Sequence, residues 1–137
     1  MRTIALRFAL PITVAAAVLG AAPSAAAATV SVSQTTGLHA GQTISVALSG
    51  LPANLAQVAV GQCLAKVAGP NDCNLSGSLL GHADGRGIWQ PNRGSAIALV
   101  GSIGGTNCAA APGTCIIGVT SLTDPAHILS ATPLSFG

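Results

Sequence analysis

QVAVGQCLAKVAGPNDC, Gln57 to Cys73, decides the fold and frames the question of function. Its first half alternates at period two. Val58 and Val60 fall on one face, and Ala59, Gly61 and Cys63 on the other, the pattern of a β-strand with two different sides. Its second half is a turn-rich loop containing Gly, Pro, Asn and Asp, and it ends on a second cysteine. A strand carrying one thiol and a loop returning with another could be half a metal site, a redox pair or a covalent clasp. The compartment decides between these, because thiol chemistry depends on it.

The N-terminus speaks for export. Arg2 and Arg7 give a positive start, Phe8 to Ala22 is apolar apart from Pro11 and Thr13, and small residues follow in APSAAAA, Ala22 to Ala28. This is the layout of a cleaved secretory signal, with an A-x-A site. The apolar run is short for a membrane anchor and no basic stop-transfer residues follow it. The expectation is a signal peptide over 1–27, cut at Ala26, Ala27 or Ala28, and one secreted domain over 28–137 that keeps no membrane attachment. That domain is long enough for one small core.

The whole chain carries a formal charge of +2, but beyond the signal only Lys66, Arg86 and Arg93 face Asp72, Asp84 and Asp124, so the exported part is neutral. Three basic residues give too small a footprint for direct nucleic-acid binding, which needs clustered Lys or Arg. All four cysteines, Cys63, Cys73, Cys108 and Cys115, lie in the exported part. An even count in a secreted domain reads as a disulfide framework. Three connectivities are open. The local one, Cys63–Cys73 with Cys108–Cys115, is favoured because each pair brackets turn residues, Pro70 to Asp72 and Ala111 to Gly113. Neither pair has the C-x2–4-C spacing of zinc sites or the C-x-x-C of redox motifs.

Further alternating or β-branched runs recur along the chain: Thr29 to Ser33, Thr43 to Leu48, Gly87 to Gln90, Ser95 to Val100, Cys115 to Thr120 and Ile128 to Leu134. Turn signals separate them, at LPAN from Leu51, ADGRG from Ala83, QPNRG from Gln90 and TDPAH from Thr123. Short strands at regular spacing predict an all-β sandwich or barrel. The local cysteine pairs argue against an antibody-type domain, whose disulfide spans dozens of residues.

Catalytic chemistry is sparse. His39, His82 and His127 sit in loop-like contexts and the aspartates in turns. There is no G-x-S-x-G nucleophile elbow, and no glutamate for a paired Glu acid and base. His82 and Asp84 are better explained by the Asp-Gly hairpin signal than by catalysis. A metal site built from the scattered histidines is not expected.

The residues read so far resemble the neocarzinostatin family, the secreted apoproteins of actinomycete enediyne chromoprotein antibiotics. The resemblance starts at ATVSVSQTTGL, Ala28 to Leu38. It continues through VGQC at Val60 to Cys63 with its second cysteine ten positions on, ADG at Ala83 to Gly85, and CIIGVT at Cys115 to Thr120, and closes on LSFG. It implies an immunoglobulin-like, seven-stranded antiparallel β-sandwich with a small two-stranded subdomain and two local disulfides. It also implies a cleft between sandwich and subdomain that holds a non-covalent enediyne-like or other polycyclic chromophore, with no covalently required cofactor. DNA would be reached only indirectly, through the carried ligand, by a monomeric protein. By the motif match the cleft residues are Cys63, Ala65 and Cys73 on one side, with the first disulfide as part of the floor, and Gly118 and Thr120 on the opposite side.

Three departures bear on the ligand. Where a well-known relative has Trp two positions after the VGQC cysteine, this chain has Ala65. NLSGSLLGHADG after Cys73 and GSIGGTNC before Cys108 carry no aromatic residue. Aromatic stacking contributes about 0.5–1.5 kcal/mol per pair beyond burial, so its loss weakens the hold on a flat conjugated ligand. Trp89 has no place in the cleft by sequence and reads as a core residue. The leading expectation is a non-catalytic small-molecule carrier. The others are a ligand-free structural or interaction module on the same fold, whose cleft would be closed, and a hydrolase built on Ser, His and Asp.

Overall fold

The period-two alternation of Thr43–Ser49, TISVALS, is reproduced side by side with burial: Ile44, Val46 and Leu48 are buried and the intervening residues exposed. The computed structural model describes residues 28–137, and for 124–127 the backbone alone; the expected signal peptide lies outside the described residues. Ten strands follow one another: β1 Thr29–Val32, β2 Thr43–Ser49, β3 Val58–Leu64, β4 Leu79–Ala83, β5 Trp89–Pro91, β6 Ala96–Ala98, β7 Ser102–Ile103, β8 Thr106–Asn107, β9 Cys115–Ser121 and β10 Asp124–Pro133. Two single 3-10 turns, Pro70–Asp72 and Leu75–Gly77, interrupt the segment between β3 and β4.

The strands form a five-stranded antiparallel sheet in the order β10-β9-β3-β4-β5, a three-stranded sheet β1-β2-β6, and the β7-β8 hairpin. The two larger sheets face each other as a sandwich. Ile44, Val46 and Leu48 of β2 and Ile97 of β6 meet Val58 and Val60 of β3, Ile117 and Val119 of β9, and Trp89 of β5 in one buried cluster. Each such aliphatic side chain contributes roughly 1.5–3 kcal/mol on burial. The main sheets hold eight strands by hydrogen bonding, against seven expected, because the stretch from Trp89 to Ala98 changes sheet at Asn92–Ser95 and so supplies both β5 and β6.

Trp89 is a core residue, as its sequence context indicates. It is 4% exposed and its indole N–H donates to the Val58 carbonyl at 3.2 Å. The ADG signal does close the β4–β5 hairpin. Asp84 accepts from the backbone N–H of Arg86 at 2.8 Å and of Ile88 at 3.0 Å, and the left-handed position falls on Gly87, φ +79°. These two N–H groups, first Ile88 and then Arg86, hold the Asp84 carboxyl below the usual carboxylate range.

Two expectations are corrected. TDPAH is not wholly a turn: β9 and β10 are joined through Leu122 and Thr123, and Asp124 already pairs with Ser121. LLGHA, read as loop, is β4; Gly81 packs so closely under Trp89 that a Cβ there would lie 2.6 Å from the indole nitrogen. Alternation was obscured in β4 by its glycine and histidine.

Both local disulfides are present, Cys63–Cys73 and Cys108–Cys115. The second belongs to a small separate core with Ile103, against which Leu64, Val100 and Phe136 pack. The β7-β8 hairpin is tied to the sandwich by Gln62, which is fully buried. Its amide donates to the Val100 carbonyl and accepts from the Val100 N–H, both at 2.8 Å, and its nitrogen also lies 3.3 Å from the Cys108 sulfur.

Candidate functional site

The outward face of β3 and β9 forms the floor of an open cavity of about 330 Å3. The strand register explains its shape. Ala59 pairs with Thr120, Gly61 with Gly118, and Cys63 with Ile116. Ala59 also pairs with Leu80 of β4, and Thr120 with Ile128 of β10. One row across the sheet therefore reads Leu80, Ala59, Thr120, Ile128: large side chains at the edges and small ones between. The Gly61–Gly118 pair deepens the middle further. Alternation sends the neighbouring residues, Val58, Val60, Ile117 and Val119, into the sandwich core. One face of each strand thus builds the fold and the other builds the cavity.

The wall is the segment between β3 and β4, which contributes Val67, Cys73, Leu75 and Ser78. Three bonds fold it back over the sheet. The Cys63–Cys73 disulfide pins its middle, the Asn74 N–H donates to the Gln62 carbonyl at 2.8 Å, and the Ser78 hydroxyl donates to the Asn74 carbonyl at 3.0 Å. Asp72 closes the turn before the disulfide by accepting from the N–H groups of Ala68 at 2.7 Å and Gly69 at 3.2 Å. Leu122, from the β9–β10 connection, bounds the cavity elsewhere.

The rim is apolar and exposed. Six large hydrophobic residues are exposed among those described, and five of them, Val67, Leu75, Leu80, Leu122 and Ile128, line this cavity; Leu75 is 63% exposed. Solitary exposed aliphatics are ordinary, but a cluster around a concavity marks a place where something docks.

Of the residues expected in a cleft, Cys63, Cys73, Gly118 and Thr120 all line the cavity. Ala65 does not: it is exposed just past the end of β3, where its N–H donates to Thr114. Gly118 and Thr120 do not face the first disulfide from an opposite side. They lie on the strand next to it in the same floor, and a Cβ at Gly118 would be 3.7 Å from the Cys63 sulfur. Nor does the β7-β8 hairpin supply a lining residue. It stands against the outside of the wall, where a Cβ at Gly104 would be 3.4 Å from the Asn71 carbonyl. Sequence reading missed the aliphatic rim, because Val67, Leu75, Leu80, Leu122 and Ile128 are dispersed over four segments and converge only through folding. The signal available was the alternation that puts Leu80 and Ile128 opposite their inward neighbours.

His39 and His82 are exposed, and the carboxylate of Asp84 is engaged by its own hairpin, including the Gln90 amide at 3.2 Å. Among the described residues no group of three or more His, Cys, Asp or Glu is placed to hold a metal ion.

Known proteins share this sequence pattern and this fold. The sequence model of the Neocarzinostatin family matches residues 30–136. The chain belongs to the neocarzinostatin family. Among solved structures, macromomycin is 27% identical, covering 81% of this chain and 100% of its own, with a TM-score of 0.59. Apokedarcidin, determined in solution by NMR, is 27% identical over 82% of this chain and 100% of its own, with a TM-score of 0.53. No curated protein sequence matches. Within the neocarzinostatin fold of this chain, the cavity floor is laid on β3 and β9, the strands bearing VGQC and CIIGVT.

Proposed function

We propose that this protein is a secreted, non-catalytic carrier that holds a hydrophobic small molecule without covalent attachment in the cavity over β3 and β9. The observation that carries the reading is the open volume of about 330 Å3 ringed by five exposed aliphatic side chains. A ligand-free module would have no reason to keep such a hollow, since exposed apolar surface favours aggregation. The volume sits at the low end of small-molecule pockets. Family membership supports a chromophore as the cargo, with DNA affected only by what the protein releases. Cys63 and Cys73 hold the wall against the floor, and Gly118 and Thr120 give the floor its depth.

Export by the N-terminal signal fits the two disulfides, which persist in oxidising compartments. Ala28 packs in the core at 9% exposure and so belongs to the folded domain. No helix among the described residues is long and apolar enough to cross a membrane. The test is the native mass and absorption spectrum of the protein secreted by its producing organism, protected from light. A mass excess is expected, and absorbance beyond that of Trp89 would mark the cargo as a chromophore. A bare mass, lacking only the four hydrogens of two disulfides, together with a cavity that binds no apolar probe, would overturn the carrier reading.

A further inference from the structure

Resting on that carrier reading, we infer that the cavity selects a neutral, saturated or largely alicyclic molecule, rather than a flat aromatic or an anionic one. Among the described residues the lining contains no aromatic ring and no charged side chain. Trp89, the single tryptophan, lies on the core face of the sheet, bonded to the Val58 carbonyl. Phe136 packs against the two cores and is not part of the lining.

The walls have branched aliphatic tips, at Val67, Leu75, Leu80, Leu122, Ile128 and Ile116. Branched aliphatics interdigitate with a ligand of some thickness and leave gaps against the two faces of a plate, where a ring would have stacked. The described charges nearby are turned to other uses. The nearest acid on the wall segment, Asp72, spends one oxygen on the N–H groups of Ala68 and Gly69, and Lys66 is exposed outside the lining. An anion brought into this hollow would lose its water without gaining a described partner.

Among the described lining residues, polar recognition falls to the Ser78 hydroxyl, which donates to the Asn74 carbonyl and retains acceptor capacity. The Thr120 hydroxyl is already engaged, donating to the Ser121 carbonyl at 3.5 Å. The fitting ligand therefore carries a neutral hydrogen-bond donor on an otherwise saturated frame.

The deciding experiment titrates the uniformly 15N-labelled, disulfide-intact protein with three probes built on one carbon skeleton: decahydro-2-naphthol, 2-naphthol and decahydro-2-naphthoate. The amide signals of Gly61 and Gly118 report occupancy of the floor. Decahydro-2-naphthol is expected to bind about tenfold more tightly than 2-naphthol after correction for their partition coefficients, the factor that one or two missing stacking contacts amount to. The carboxylate at neutral pH is expected to be weaker than the alcohol. Gly118→Val should abolish the shifts at Gly61, because its Cβ makes ordinary contacts with Cys63 and Ile116, at 3.7 Å, and its two methyl groups take up room in the hollow. An unchanged thermal midpoint would show that this variant is folded. Equal or tighter binding of 2-naphthol, or of the carboxylate, overturns the ligand class and leaves the carrier reading standing. Failure of all three probes to move Gly61 or Gly118 overturns the ligand class, while the mass and spectrum of the native protein judge the carrier reading separately.

Discussion

Gln62 is the residue whose loss should be felt most per atom removed. It is completely buried on β3, and both ends of its amide are committed to the backbone of Val100 at 2.8 Å. Gln62→Leu keeps the volume and deletes both bonds, leaving the half-buried carbonyl and N–H of Val100 without those partners. Two such orphaned groups cost about 1–3 kcal/mol each. Relief from desolvating the glutamine amide offsets part of that. The expected net loss is about 3 kcal/mol, a large fraction of the roughly 5–15 kcal/mol that stabilises a domain. Urea denaturation followed by Trp89 fluorescence is the assay, with the disulfides intact. For a urea slope of about 1.5 kcal/mol/M, the midpoint should fall by about 2 M. Gln62→Glu separates the two halves, since it keeps the acceptor for Val100 N–H and removes the donor for its carbonyl. A Gln62→Leu protein within about 0.5 kcal/mol of the parent would refute the argument, because the bonds would then be replaceable at no cost.

Other perturbations have equally definite signs. Gly61→Ala puts a Cβ against the Ser78 hydroxyl; it should cost about 1–3 kcal/mol as overpacking, and Ser78→Gly in the same chain should restore most of it in a double-mutant cycle. Replacing Cys63 and Cys73 together by Ser should lower stability by roughly 2.5–3 kcal/mol in the chain-entropy model and free the wall, with unchanged hydrogen exchange at Asn74 and Ser78 counting against a pinning role. Asp84 is held ionised by its hairpin, so its folded pKa lies below the unfolded value of about 3.9. Its contribution is complete above that unfolded value and lost as pH falls through the folded one. Asp84→Asn should flatten the acid limb of the stability curve and abolish the titration of the Arg86 and Ile88 amide shifts in that range.

The core face was legible because hydrophobic period two survives in Thr43–Ser49, Val58–Leu64 and Cys115–Ser121, where glycine falls on the outward side or not at all. The disulfide pairing was legible too, since both pairs bracket turns. β4 was hidden by Gly81 and His82, whose types mark a loop in one dimension and a close contact beneath Trp89 in three. The hairpin β7-β8 was hidden by brevity, two residues per strand around Gly104 and Gly105. For the site, Cys63, Cys73, Gly118 and Thr120 lie in the cavity lining, while Ala65, singled out because it stands where a relative has Trp, falls beyond the strand end, outside the lining. Gln62 carried no readable sign of its role, because a glutamine on a strand gives no hint that a distant Val100 will need both of its amide ends.

The division of labour between the two faces of β3 and β9 bears on how such a protein can change cargo. Inward residues Val58, Val60, Ile117 and Val119 are each held to their size by the opposing sheet, and core volume changes there are costly. Outward residues meet a hollow. A Cβ on Gly118 would make only ordinary contacts, whereas one on Gly61 would collide with Ser78. The floor is therefore free to vary at Gly118 and restrained at Gly61, where the wall leans on it. A fold can then persist at 27% identity to macromomycin while the surface that meets a ligand is rebuilt. If the protein is the carrier proposed above, the chemistry of its cargo follows from the few side chains that rise above the floor, and among the described residues those are aliphatic.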